Sequence, residues 1–84
     1  MLFYFDVRDA GQLHPDEEGQ ELPDIESAQR EAAEAATAIA CDVLPARQLG
    51  EVIVEVRNQE RGLLLTVSVE LRIAHSRDPT RETS

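Results

Sequence analysis

Residues 24–45 read DIESAQREAAEAATAIACDVLP, and this stretch decides the fold. Asp24 is a good N-cap, because its side-chain oxygen accepts from an otherwise unpaired N–H of the first turn. Glu26 follows where a negative charge suits the helix dipole. Ile25, Ala28, Ala32, Ala36, Ile39 and Val43 recur at spacings of three and four, which is one face of a helix, and Ala35 and Ala40 widen the stripe. The other face carries Arg30, Glu31, Glu34, Thr37 and Asp42. Pro45 cannot donate to the preceding turn, so the pattern ends the helix near Val43 or Leu44. A stripe made largely of alanine lets a helix axis approach its neighbour closely. The bulk of the core must therefore come from whatever lies beneath.

What lies beneath is read from the flanks. Before the helix, residues 2–8 (LFYFDVR) alternate Phe3, Phe5 and Val7 against Tyr4, Asp6 and Arg8, the period of a strand. The turn Asp9-Ala10-Gly11 follows, with Gly11 suited to a positive φ. Residues 12–14 make a short return strand, which Pro15 confines to an edge. A second turn spans 16–19, where Gly19 supplies an unusual backbone angle and Asp16 caps the turn through its side chain. After the helix, Val52, Val54 and Val56 alternate with Ile53, Glu55 and Arg57, and 58–62 is a hairpin loop. Residues 63–73 form the longest strand, with Leu63, Leu65, Val67, Val69, Leu71 and Ile73 on one side. From residue 74 the chain is polar and aperiodic, and a disordered tail is expected over 74–84, leaving one domain over 1–73.

Composition narrows the function classes. The formal net charge is −9. Residues 1–50 hold three arginines against eleven acids, or −8, while 51–84 hold five against six, or −1. Such a front half repels phosphate backbones, which argues against direct nucleic-acid binding and for solubility or a basic partner. Cys41 is the sole cysteine, so an internal disulfide is excluded. The first residues lack the basic n-region of a signal peptide, and no stretch approaches the ~20 apolar residues of a spanning helix. No membrane association is expected, and the cytoplasm is the default location.

The fold expected is therefore α+β with ββαββ topology: one four-stranded, mostly antiparallel sheet with a single helix packed on one face. The strands richest in large apolar residues, the first and fourth, belong in the middle. That gives the order 2-1-4-3, which resembles a β-grasp core. The order 2-1-3-4 is the competing arrangement.

The runs Tyr4-Phe5-Asp6-Val7-Arg8-Asp9 and Pro15-Asp16-Glu17-Glu18-Gly19, followed by Glu21-Leu22-Pro23-Asp24-Ile25-Glu26 with Ala28, Glu31 and Ala32, carry a resemblance. Over about residues 3–73 the chain resembles a family of short proteins of unknown function, widespread in alphaproteobacteria and especially in soil and plant-associated ones. That resemblance implies no activity or ligand. The hairpin-then-helix front half is also similar to the HicB-type antitoxins, which use a partial ribonuclease H-like fold; the appended DNA-binding domain common in such antitoxins has no counterpart here.

Candidate chemistry is sparse. The loop His14-Pro15-Asp16-Glu17-Glu18-Gly19 has carboxylates and a turn glycine but lacks the ligand spacing of an EF-hand, and it reads as a solvated turn. His14 and His75 form no zinc-spaced cluster. Cys41 has acidic neighbours, which raise a thiol pKa, and it reads as inert. No catalytic, cofactor-binding or metal-ligating residue is assigned, and no cofactor is expected. The informative surface is the sheet face away from the helix. On it the alternation places Tyr4, Asp6 and Arg8 from the first strand, Ile53, Glu55 and Arg57 from the third, and Leu64, Thr66, Ser68, Glu70 and Arg72 from the fourth. Mixed charges there suit cross-strand ion pairs, and the apolar members suit an interface. The function expected is a non-enzymatic protein-interaction or regulatory module, with a homodimer or another protein as partner, associating through the open sheet face or an edge strand. The alternative is an antitoxin-like acidic inhibitor of a basic nuclease or toxin. An enzyme would have to use Asp6, Glu55 and Glu70, and carboxylates need a cleft to shift their pKa values for that work.

Overall fold

A computed structural model describes residues 1–76. Strand β1 (Leu2–Asp9) is followed by β2 (Gln12–His14), β3 (Gln20–Glu21), helix α1 (Ile25–Arg47), β4 (Gly50–Asn58) and β5 (Gly62–Leu71). The chain is α+β, with one helix on an antiparallel five-stranded sheet of order β2-β1-β4-β5, β3 also pairing with β1.

The helix begins as its sequence dictates. Asp24 has extended backbone geometry, and its Oδ1 accepts from Ser27 N at 2.8 Å. The buried stripe is Ala28, Ala32, Ala36, Ala40 and Leu44, a strict four-residue repeat. Beneath it run rows of cross-strand partners: Phe5–Val56–Leu65, Val7–Val54–Val67 and Asp9–Val52–Val69. Val52, Val54 and Val56 are fully buried, so the small residues lie on the helix and the bulk on the sheet. One cluster gathers Phe3 with Ala28, Ala32, Ala36, Val54 and Val56; a second gathers Ala40, Leu44 and Val52 at the far end.

Four expectations are corrected. The order 2-1-4-3 gives way to its competitor: the strand after the helix, β4, lies beside β1 and β5 takes the edge. Apolar content misleads here because β5 has a long apolar row that is only half buried, whereas the shorter valine row of β4 is completely covered. A fifth strand, β3, was not expected. It is two residues long and exists because the chain leaving β2 rejoins β1 at Leu2 and Phe3. The helix runs three to four residues past the expected end at Val43 or Leu44, to Arg47, with Pro45 inside its last turn. The missing proline N–H is owed to a solvent-exposed turn at Cys41, Gln48 in left-handed geometry caps the end by donating to Leu44 O at 2.8 Å, and Arg47 is tied down by Asp9. Finally, a β-bulge shifts the β4–β5 register between Val56 and Arg57. Val56 faces Leu65 but Arg57 faces Leu63, which turns Leu64 into the core cluster and leaves Leu63 60% exposed on the opposite side.

Residues 72–76 follow β5 without regular secondary structure, and the rest of the expected tail, 77–84, lies outside the described residues.

Candidate functional site

The sheet face away from α1 is not uniformly open. Between the pairs Val7–His14 and Phe3–Gln20, three residues of β1 (4–6) lie opposite five of the returning chain (15–19). The two surplus residues break the ladder, and β1 loses a strand partner there. Asp16 fills the gap. Its Oδ2 accepts from Phe5 N at 3.1 Å, standing where a strand carbonyl would stand, and its Oδ1 accepts from Glu18 N and Gly19 N, both at 3.1 Å. Gly19 takes φ +77° and lies so near Tyr4 Cε1 and Phe3 O that a Cβ would sit 3.1 Å from each. A side chain there would be strained in backbone and crowded in space.

The loop is fastened to the sheet by one further pair. Asp6 Oδ1 accepts from Asp16 N at 2.8 Å, Arg57 Nε donates to Asp6 Oδ2 at 2.7 Å, and Arg57 Nη2 donates to Asp16 O at 3.2 Å. The guanidinium carbon lies 4.6 Å from the Tyr4 ring centroid, a cation–π distance. Tyr4 and Asp6 are thereby buried, 8% and 6% exposed.

The electrostatics follow. Burial pushes the Asp6 carboxyl up, but the hydrogen bonds from Arg57 and from Asp16 N–H outweigh it and hold it below the ordinary 3.8. Burial also pushes Asp16 up, and the N–H groups of Phe5, Gly19 and Glu18 bring it below the same value. Asp6 and Glu55 are directly opposed across β1 and β4, a repulsive juxtaposition unless each has a counter-charge. Each does: Arg57 on Asp6, and Arg8 on Glu55 at 3.0 Å. A carboxylate that is ionised and fully engaged with donors holds a structure together and is poorly suited to take up a proton.

The domain of unknown function DUF6894 matches residues 2–70. The chain belongs to this family. No curated protein and no solved structure matches it. The family match spans every element from β1 to all but the last residue of β5, so the Asp16 loop, the helix and the sheet face together belong to the family's domain.

Of the residues expected on the open face, Arg8, Ile53, Glu55 and Arg57 lie there together, and Glu70 lies on the outer strand. Tyr4 and Asp6 are on that side but covered by the loop and Arg57, so they do not offer contact area. Leu64 is withdrawn from the face by the bulge, and Arg72 lies one residue past the end of β5. The acidic loop, expected as a solvated turn, is half internal: Glu17 and Glu18 are exposed, while Asp16 is engaged with the sheet. Its expected turn-capping role and the special φ of Gly19 are both observed. Cys41 is exposed beside β5, and His14 lies on β2 at the other edge of the sheet, so the two do not approach. Among the described residues no group of three His, Cys, Asp or Glu side chains is arranged to hold a metal ion, and no helix is long and apolar enough to cross a membrane.

The sequence allowed association through the open face or an edge strand without saying which strand would be the edge. Among the described residues β5 has a strand neighbour on one side only, and its ten residues hold no proline, lysine or arginine and one charge, Glu70. An apolar groove runs between it and the helix, lined by Thr37, Cys41, Leu44, Pro45, Val69 and Leu71. The signal was present in the sequence as the low charge of 62–71, but it becomes an edge only once the strand order is known.

Proposed function

We propose that this domain is a non-enzymatic protein-interaction module and that its working element is the outer edge of β5. The observation that carries the reading is the contrast in satisfaction between the two sides of the sheet. The buried carboxylate Asp6 and the half-buried Asp16 are already occupied by backbone N–H groups and Arg57. The outer edge of β5 instead presents a row of backbone donors and acceptors that no strand among the described residues takes. Extended partners add to such an edge by main-chain hydrogen bonding, with side chains supplying selectivity. The test is affinity capture from cells expressing the protein, comparing the native chain with Thr66→Lys/Ser68→Lys. Both positions are exposed, so the fold should survive while lysines discourage strand addition. Loss of the captured protein, including tagged copies of the chain itself, supports the reading. Unchanged capture by the double variant discards it.

A second reading is an acidic inhibitor of a basic nuclease or toxin. It is favoured by the exposure of Glu17 and Glu18 on the loop and of Glu26, Glu34 and Asp42 on the helix. Capture that survives the lysine substitutions but is lost on Glu34→Lys/Asp42→Lys would select this reading over the first.

A further inference from the structure

We infer that the β5 edge takes an extended basic segment of another protein, one whose side chains run apolar, basic, apolar opposite Val69, Glu70 and Leu71. This rests on the edge reading above and names the chemistry of its partner. The open face, the helix face and the charge of the whole chain each contribute to it.

The open face supplies charge. Among the described residues two pairs of acids are directly opposed across the sheet, Asp6 with Glu55 and Glu51 with Glu70. Arg57 and Arg8 neutralise the first pair. The second pair has no such relief. Glu51 and Glu70 are both exposed and enter no ion pair among the described residues, although Arg72 borders the same hollow. Like charges facing each other across a ladder are destabilising. A strand added to β5 sets one residue opposite Glu70 at about 5 Å, with Glu51 roughly 10 Å away in the same row. A long cationic side chain at that position reaches both carboxylates.

The helix face supplies shape. The residues on either side of that cation point the other way, because side chains alternate along a strand. They enter the groove whose floor is Val69 and Leu71 and whose wall is Thr37, Cys41 and Pro45. None of these five is charged, so apolar side chains suit both places. The pattern is the same whether the added strand runs parallel or antiparallel to β5.

The chain as a whole decides between occupants. Its net charge of −9 draws cationic segments and repels a second copy. A second β5 laid on this edge brings no counter-charge to Glu70, since its ten residues contain neither lysine nor arginine.

Selection of a displayed library of random seven-residue peptides on the full chain tests the pairing. Peptides enriched on the native chain should carry arginine or lysine between two apolar residues, and their binding should slow hydrogen exchange at the outward amides of β5. Glu51→Gln/Glu70→Gln should weaken those peptides by about tenfold, and a fresh selection on that variant should keep the apolar preference and lose the basic one. The same double substitution should raise the thermal midpoint of the free chain by about 1–4 °C, because it removes the opposed charges. Enriched peptides with no basic preference overturn the proposal and leave the edge reading standing, as does a dimer of the native chain that is lost on Thr66→Lys/Ser68→Lys. A midpoint lowered by the glutamine substitutions overturns it too. No enrichment at all, or binding that leaves the β5 amides unprotected, overturns both readings.

Discussion

The two hairpins of this domain reach stability by different chemistry. The rear hairpin, β4 and β5, is a long regular ladder whose inner strand carries three fully buried valines. The front one, β1 with β2 and β3, pairs three residues at one end and two at the other, and bridges the interval with Asp16, Asp6 and Arg57. One side rests on apolar contact that any well-packed hydrophobe supplies. The other rests on a few directional bonds that a single atom can remove. The difference teaches where tolerance and intolerance should lie, and under which conditions each half yields first.

The largest effect should come from the rear hairpin. Val54→Ala empties space between the helix alanines, Val7 and Val67, and should cost about 3 kcal/mol, read from urea unfolding. The loss should not vary with pH between neutral and mildly acidic conditions. Asp16→Ala should cost less, about 2 kcal/mol, because it strips three N–H groups of their acceptor, of which Glu18 regains water most easily. Hydrogen exchange should quicken at Phe5 and Gly19 while the amides of β4 stay protected. Protection lost equally in both hairpins would dissolve the comparison.

Acid should separate the halves more finely. Asp6 and Asp16 are held below 3.8 in the folded chain, so the unfolded chain binds protons first as pH falls. Their contribution is whole above the unfolded value and drains away as pH drops through the lower folded values. Thermal stability should therefore be level above about pH 5 and fall steeply below pH 4. Asp6→Asn/Asp16→Asn should be less stable at neutral pH and show a shallower acid slope. The smallest change is a gain: Ala10 sits at φ +53° in the β1–β2 turn, and Ala10→Gly should add about 1 kcal/mol by relieving a left-handed conformation. It sharpens the contrast by strengthening the weaker hairpin alone.

Much of this was legible from the chain itself, and the reason is locality. Asp24 and the four-residue alanine repeat announce the helix because cap and stripe are decided within one or two turns. The role of Asp16 was legible as far as Glu18 and Gly19, its own neighbours. Its bonds to Phe5 and Asp6, and above all the 51-residue separation of Asp6 from Arg57, were not, since no local pattern records which strands become adjacent. The strand order failed for the same reason. Counting apolar residues ranks β5 above β4, but burial depends on where the helix lies, and α1 covers β4 completely and β5 only along its inner side. Leu64 was misplaced because a single bulge reverses the alternation beyond it.

The detour at 15–19 has a consequence for how this domain can change length. It is bracketed by paired strand on both sides, and side chains alternate faces with a period of two. Removing or adding one residue would invert Gln20 and Glu21 with respect to β1 and break the seam. Removing two would close the detour into one uninterrupted strand, with a backbone carbonyl doing what the Asp16 carboxylate does now. The excursion obeys a parity rule, and lengths that differ by even steps are the ones the sheet accepts.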